Sequence, residues 1–257
     1  MRRLLVASAL LLHATPALAV PVGTSADTRT AAPQHRQAWK QGGVQLKLDG
    51  SFLAGNVNLT NLSVNLAANY NDGPHQLFLD AGDLYTATPS ATLIDRLAGS
   101  SLYAYALRDN VNLYGYVTGA HDASSKLDSR LTAGLGGCVH RLFVDEFSLF
   151  LISLNPAYEL ENALGGQTQT WRAVARLNVI KPMSDTVELG LDAFYTPAVA
   201  DPADLRVYGE AYARVKLAGD ALAVRFTVAD EYDTRPQPGI QLNDVGVFTS
   251  IEAAWGR

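Results

Sequence analysis

Along most of the chain, apolar and polar residues alternate one by one in short segments. The clearest example covers residues 205–217. One face of it carries small or apolar residues, namely Leu205, Val207, Gly209, Ala211, Ala213, Val215 and Leu217. The other face carries charged or phenolic residues, namely Arg206, Tyr208, Glu210, Tyr212, Arg214 and Lys216. A period of two is that of a β-strand, because successive side chains point to opposite faces of a sheet.

Twelve segments of this kind predict a closed barrel. The predicted strands cover residues 43–53, 58–70, 75–87, 96–107, 111–120, 127–140, 146–158, 168–180, 185–196, 204–217, 221–232 and 244–255. A barrel in a bilayer accommodates both faces, because its outer face meets hydrocarbon and its interior holds water and polar side chains. We therefore predict an all-β fold, an antiparallel transmembrane β-barrel of about twelve strands. The alternative is a soluble secreted β-sandwich that acts as a binding module.

The connections predict which strand ends face the cell exterior. Short, turn-like segments such as residues 71–73 and 218–220 contain Asn, Asp or Gly, which tolerate the backbone angles of tight hairpins. The connections between them, such as residues 162–168 and 233–243, are mostly longer. Short turns on one side and longer loops on the other are typical of outer-membrane barrels, whose turns face the periplasm.

The start of the chain predicts export. Residues 1–19 have the features of a cleaved signal peptide, with Arg2 and Arg3 before an apolar stretch and a small-x-small cleavage site. Residues 20–42 predict a polar periplasmic leader, and residues 43–257 predict the outer-membrane barrel.

Charge and cysteine content limit which partners and which covalent bonds are expected. The chain has 20 Lys and Arg residues against 25 Asp and Glu residues, so nucleic acid is not an expected partner. Cys138 is the single cysteine, which excludes an internal disulfide, and we expect a packed, unreactive thiol. The expected partners are outer-membrane lipid and the barrel-assembly machinery, and a small solute of unknown identity stays an alternative.

The alternation also predicts a set of charges that face the lumen. They are Lys47, Asp49, Asp128, Arg130, Arg172, Arg176, Glu188, Asp192, Arg206, Glu210, Arg214, Lys216, Arg225 and Glu231. Twelve strands about 4.8 Å apart and tilted by about 40° give a backbone radius of roughly 12 Å. Inward side chains then leave little free space, and charges of both signs pair there. We expect a structural role for these residues in a mostly filled lumen, with a narrow solute conduit as the alternative.

No catalytic, cofactor or metal site is predicted. An outer-membrane hydrolase acting on lipid or peptide is the alternative, and it needs a histidine near a serine or a carboxylate. His121, next to Asp122 and close to Ser124 and Ser125, falls in a predicted external loop. Adjacent strand residues point to opposite faces, so His121 and Asp122 make a poor dyad, and a solvated loop is the simpler interpretation.

Two further groups lie near predicted strand ends. Asp230, Glu231 and Asp233 could hold a calcium ion, but an exposed acidic rim is the preferred interpretation. Aromatic residues suit the two interfaces of a bilayer. They are Tyr85, Tyr158, Trp171, Tyr195 and Tyr232 near outer ends, and Trp255 near an inner end.

Five motifs carry a family resemblance. They are Gly55-Asn56 and the segments at residues 107–115 (LRDNVNLYG), 127–136 (LDSRLTAGLG), 155–159 (NPAYE) and 232–236 (YDTRP). With these motifs the chain resembles the YdiY-like salt-induced outer-membrane proteins, an uncharacterised bacterial barrel family. The resemblance implies an outer-membrane barrel of a Gram-negative bacterium that is linked to salt or envelope stress, and it brings no catalytic residues. The chain departs from outer-membrane barrels at its end, because they usually finish on an aromatic residue and Trp255 stands two positions earlier.

Overall fold

The computed structural model describes residues 42–53, 59–88, 91–108, 111–140, 149–219 and 221–256. These residues form twelve strands: β1 (Gly42–Leu53), β2 (Leu59–Asp72), β3 (His75–Thr88), β4 (Ala91–Arg108), β5 (Val111–Asp122), β6 (Leu127–His140), β7 (Leu149–Ala163), β8 (Gly166–Pro182), β9 (Val187–Pro197), β10 (Leu205–Ala218), β11 (Leu222–Asp233) and β12 (Asn243–Gly256). Each strand pairs with its neighbours in sequence, and β12 pairs with β1, so the sheet closes. The predicted twelve-stranded antiparallel barrel is confirmed, and the sandwich alternative is wrong.

The predicted signal peptide and most of the leader lie outside the described residues. Within the described ranges, no helix is long and apolar enough to cross a membrane.

Side chains alternate between a buried inner face and an exposed outer face. In β10, Arg206, Tyr208 and Glu210 are buried while Val207 is exposed. The exposed outer side chains are mostly apolar, including Leu66, Leu113, Leu131, Leu135, Leu154, Val228, Val247 and Ile251. Apolar residues outside and polar residues inside are the reverse of a soluble protein and are typical of a transmembrane barrel.

Aromatic side chains form two bands on this outer face. Tyr85, Tyr158, Trp171, Tyr195 and Tyr232 lie toward the loop ends, and Tyr70, Tyr103, Tyr105 and Trp255 lie toward the turn ends. Tyr85 lies opposite Asp95, which is ten residues along β4 from Tyr105. Ten residues rise about 3.3 Å each along a strand, and the strands are tilted by about 40° from the barrel axis. The two bands are therefore separated along the axis by roughly 25 Å, which is the height of the apolar band of a transmembrane barrel. The exposed carboxylate of Asp83 lies two residues from Tyr85 toward the middle of β3.

The connection between β7 and β8 is shorter than predicted. Residues 162–168 were expected to form a loop, but only Leu164 and Gly165 connect the two strands. Both have positive φ, 51° and 75°. Two successive residues of this kind form the tight turn whose twist matches that of the flanking strands.

The predicted contrast between short turns and long loops is therefore only partly present. Residues 89–90 alone separate β3 from β4, which is as short as a periplasmic turn. Residues 198–204 and 234–242 are the longer connections at the loop end among those described in full.

Tyrosine rings inside the barrel lie against glycines of neighbouring strands. Tyr116 pairs with Gly134, and Tyr212 pairs with Gly190. A Cβ added at Gly190 would overlap the Tyr212 ring, and one at Gly134 would lie 2.5 Å from the Tyr116 ring. A larger residue at either position would force the ring to move. Tyr116 also belongs to an apolar cluster in the lumen with Phe78, Leu102, Ala104, Ala157 and Val174.

Candidate functional site

Three arginines and two glutamates form a buried layer across the lumen near the loop end of the barrel. Arg130, Arg172 and Arg206 come from β6, β8 and β10, and Glu159 and Glu161 both come from β7. Each of the five is at most 8% exposed. We call this group the outer ion-pair layer.

Glu159 lies at the centre of the outer ion-pair layer. Its Oε2 accepts a hydrogen bond from Arg206 Nη1 at 2.7 Å, and its Oε1 accepts one from Arg172 Nε at 2.9 Å. Arg130 Nε lies 3.8 Å from Glu159 Oε2. Arg130 and Arg206 also donate to Glu161 Oε2, each at 2.9 Å. Because two strands separate β7 from β10, the contacts of Arg206 cross the lumen instead of following its wall.

Two aspartates connect this layer to the rim of the barrel. Arg206 Nε donates to Asp233 Oδ2 at 3.0 Å. Arg172 Nη1 donates to Asp204 Oδ1 at 3.2 Å. The arginines are thus bound on both sides, by buried glutamates below and by half-buried aspartates at the mouth.

The long loop at residues 234–242 folds over the mouth above the layer. Gln237 Nε2 donates to Glu161 Oε1 at 3.1 Å. Lys126 Nζ, from the connection between β5 and β6, donates to the main-chain oxygen of Pro238 at 2.6 Å. The loop is therefore held against two other parts of the barrel and covers one side of the opening.

Arg96 forms a second link across the lumen at this level. Its Nε lies 2.6 Å from Asp122 Oδ2 on the neighbouring strand β5. Its Nη2 lies 3.8 Å from Asp244 Oδ2 on β12. Strands β1 to β3 lie between β4 and β12 around the wall, so this contact also spans the interior.

A second set of ion pairs lies closer to the periplasmic end. Arg225 lies over the Tyr212 ring, 3.7 Å from its centre, and the Tyr212 hydroxyl donates to Glu188 Oε1 at 3.2 Å. The pairs are Arg176 with Asp192 at 2.5 Å, Arg214 with Glu252 at 2.7 Å, and Arg225 with Glu210 and, at 3.7 Å, with Glu252. The described interior thus contains paired opposite charges both near the loop end and closer to the periplasmic end.

The structure brings most of the predicted inward charges into these two sets. Lys216 and Glu231 are half-buried on the same inner rows. Asp128 differs from the expectation, because a bulge between Leu127 and Ser129 buries Leu127 and leaves Asp128 exposed. The side chains of Lys47, Asp49 and Cys138 lie outside the described part of the structure. A structural role for these charges stays a prediction.

Sequence reasoning missed several of the charged residues in the two sets and in the Arg96 link. Glu159 and Glu161 were missed because β7 was predicted to end at residue 158, whereas it continues to Ala163. Extending the alternation of this strand by three residues would have placed both glutamates inside. The others that were missed are Arg96, Asp122 and Glu252, which lie near strand ends.

The candidate hydrolase residues bind different partners. His121 Nδ1 lies 2.9 Å from the main-chain oxygen of Asp128. The Ser124 hydroxyl donates to the Asp122 carboxylate and accepts a hydrogen bond from Arg96 Nε at 3.3 Å. The structure therefore does not bring His121 and Ser124 together as a dyad. In the described residues, no cluster of His, Cys, Asp and Glu side chains has the arrangement of a metal site.

The strand pairing, the apolar exterior and the paired interior define a transmembrane β-barrel with a polar, ion-paired interior. The family model described as "Protein of unknown function, DUF481" matches residues 48–255. The chain belongs to this family. No curated protein matches it in sequence.

Solved structures with a similar shape are named as porins and as the translocator domain of an autotransporter. The translocator domain of autotransporter NalP from Neisseria meningitidis is 12% identical, with a TM-score of 0.47 over 91% of this chain and 98% of that one. The NanC porin is 10% identical, with a TM-score of 0.48 over 81% of this chain and 97% of that one. The KdgM porin is 7% identical, with a TM-score of 0.47 over 84% of this chain and 99% of that one. Because these TM-scores lie below 0.5, the barrel assignment rests on this chain's own strand pairing and surface.

Proposed function

We propose that the protein is an outer-membrane β-barrel with a closed lumen and a structural role in the envelope. The resemblance to YdiY-like salt-induced proteins supports a connection of this role to salt or envelope stress. The apolar band of roughly 25 Å supports insertion in outer-membrane lipid, which requires recognition by the barrel-assembly machinery.

The outer ion-pair layer is the observation that carries this proposal. Its contacts join β7 to β10 through the interior, so that these long side chains project into the lumen from its wall. A selective pore would favour charge of one sign, whereas this layer contains both signs in close contact.

The space on either side of the layer is small. A cavity of about 60 Å³ lies above it, between Glu161 and the loop at residues 234–242. A cavity of about 20 Å³ lies below it, lined by Glu159, Phe194 and Tyr208. A space of about 10–15 Å³ on this measure is enough for one water molecule, so these two cavities suit a few waters.

Planar-bilayer conductance tests the closed lumen. We expect no current steps from the parent barrel. The variant Glu159→Ser/Arg206→Ser removes one charge of each sign and two long side chains from the axis, and it should produce steps. The matched variant Asp201→Ser/Arg235→Ser removes an exposed ion pair from the loops and should stay silent. Regular steps from the parent would overturn the proposal in favour of a small-solute conduit.

A further inference from the structure

The cavity between the outer ion-pair layer and the loop at residues 234–242 has a buried floor and a partly exposed rim. We call it the mouth cavity. The side chains of its floor are each at most 8% exposed, and they are Arg96, Asp122, Leu127, Arg130 and Glu161. Its rim is formed by the loop itself and by Asp233 and Asp244, whose side chains are 20% and 27% exposed. A cavity of this shape is reached from the external medium.

The mouth cavity has room for a small solute. Its volume is about 60 Å³. One water molecule needs about 10–15 Å³ on the same measure, so the space equals that of about four to six waters. A molecule of about four to six non-hydrogen atoms can take their place.

The lining of the mouth cavity contains more negative than positive groups. Among the described residues that line it, there are five carboxylates and three guanidinium groups. Each of the three arginines already forms an ion pair with a carboxylate. The pairs are Arg96 with Asp122 at 2.6 Å, Arg130 with Glu161 at 2.9 Å, and Arg235 with Asp201, which lies outside the cavity. The cavity therefore favours a cation over an anion.

The excess of negative charge is concentrated between β11 and β12. Glu231 and Asp244 lie opposite each other on these strands, and both line the cavity. Side chains in such positions have Cβ atoms about 4.5–5.5 Å apart, and like charges at this spacing repel. Arg96 Nη2 approaches Asp244 Oδ2 only to 3.8 Å, which is too long for a hydrogen bond. Asp233, by contrast, accepts a hydrogen bond from Arg206 at 3.0 Å.

An ammonium group suits this position better than a metal ion. In the part of the chain that the structure describes, no His, Cys, Asp and Glu side chains have the arrangement of a metal site. An ammonium group carries its charge on N–H donors and imposes no fixed coordination geometry on the acceptors. The rest of the lining includes Leu127, Ile240 and Leu242, which suit an aliphatic chain attached to the ammonium group.

We propose that the mouth cavity binds a small aliphatic ammonium ion from the external medium. The ammonium group donates hydrogen bonds to Asp244 and Glu231 and removes their mutual repulsion. The aliphatic part contacts Ile240 and Leu242, and the loop at residues 234–242 covers the bound ion. This site goes beyond the structural role proposed above and does not depend on a closed lumen.

Isothermal titration calorimetry tests the binding. The probe is n-butylammonium, whose size falls in the expected range, added to the full barrel in phosphatidylcholine nanodiscs at constant ionic strength. We expect saturable binding of one ion per barrel. Butyrate, which has the same chain length and the opposite charge, should not bind. The absence of saturable binding of n-butylammonium, or equal binding of butyrate, would overturn the proposal.

Two Asp→Asn variants test the role of the carboxylate. Asp244→Asn should weaken the binding of n-butylammonium at least tenfold, because a hydrogen bond to a charged group becomes a neutral one. Asp128→Asn makes the same change in an exposed carboxylate at the same end of the barrel and should leave the affinity unchanged. An unchanged affinity in Asp244→Asn, or an equal loss in both variants, would refute the site.

A variant of the loop tests the location without altering a strand. Ile240→Trp places a large ring in the cavity and should abolish binding, whereas Ala203→Trp, at an exposed position of another loop, should not. Heat-modifiable gel migration confirms that each variant is folded. Undiminished binding by a folded Ile240→Trp barrel would overturn the proposed location.

The lipid provides a last control on the source of the ammonium group. Phosphatidylethanolamine carries a primary ammonium in its head group, whereas phosphatidylcholine has no N–H donor. The affinity for n-butylammonium should be the same in nanodiscs of either lipid. Weaker binding in phosphatidylethanolamine would show competition by the head group and would overturn the assignment to a dissolved ion.

Discussion

Replacing Glu159 with Gln removes one negative charge from the centre of the outer ion-pair layer and keeps the shape of the side chain. Three guanidinium groups lie within 4.0 Å of this carboxylate, at 2.7, 2.9 and 3.8 Å. After the change, the amide oxygen can still accept hydrogen bonds, but the amide nitrogen is a donor that faces other donors. Glu161 and the two rim aspartates still match the three arginines in formal charge, but the charge-assisted contacts that Glu159 makes with these arginines are lost.

We expect Glu159→Gln to lower the free energy of unfolding by about 3–5 kcal/mol, the usual cost of removing one partner of a buried ion pair. Asp201→Asn is the matched control, because it makes the same chemical change in an exposed pair with Arg235. Its cost should stay below about 1 kcal/mol. Urea unfolding of the barrel from lipid vesicles, followed by tryptophan fluorescence, measures both.

A double-mutant cycle with Arg206→Met shows whether the stability lost in Glu159→Gln comes from the contact between these two side chains. If the two side chains act through their contact, the double variant should lose less stability than the sum of the single variants, by about 1–3 kcal/mol. An additive cycle, or a loss from Glu159→Gln no larger than that of the exposed control, would refute the reasoning that this layer is a coupled, buried unit.

Three other predictions concern the lumen wall and the loop side. Arg214→Glu should lower thermal stability more than Val215→Thr on the outer face, because it replaces the 2.7 Å ion pair with Glu252 by two neighbouring carboxylates. Equal losses of stability would contradict the assignment of Arg214 to the inner face. Gly190→Ala should cost about 1–3 kcal/mol by pushing on a tyrosine ring, whereas Gly209→Ala, with open space around its Cβ position, should cost little; both are measured by urea unfolding. His121→Ala should leave turnover on a panel of lipids and peptides unchanged, and loss of an activity present in the parent would instead support the hydrolase alternative.

The strand number and inner rows could be predicted from the sequence because alternation is a local property. Each of the twelve predicted segments corresponds to one observed strand. Arg172, Arg176, Arg206 and Arg214 fall on inner rows simply by counting residues in twos. No knowledge of the neighbouring strands is needed for that step.

The contacts of the site depend on information that is not local. Glu159 was missed because a strand end cannot be located by alternation when the following residues, through Gly165, can form either a loop or a tight turn. Asp128 was assigned to the wrong face because a bulge adds one residue to β6, which reverses the parity on one side of it. The contact between Arg206 and Glu159 depends on the curvature of the closed barrel, which brings side chains of β10 and β7, a quarter of the circumference apart, within reach of each other through the lumen.

The short distance between the two aromatic bands restricts where this barrel is stable. In a thicker bilayer, hydrocarbon would extend past Tyr85 and surround the outward carboxylate of Asp95 opposite it, and it would bury more deeply that of Asp83, which already lies on the membrane side of Tyr85. Hydrocarbon cannot replace the hydration of either carboxylate. The bilayer would have to thin around the protein to prevent this, at an energetic cost that rises with the mismatch. Hydrophobic matching would therefore retain the barrel in the thinnest available membrane, and the bacterial outer membrane is thinner than average.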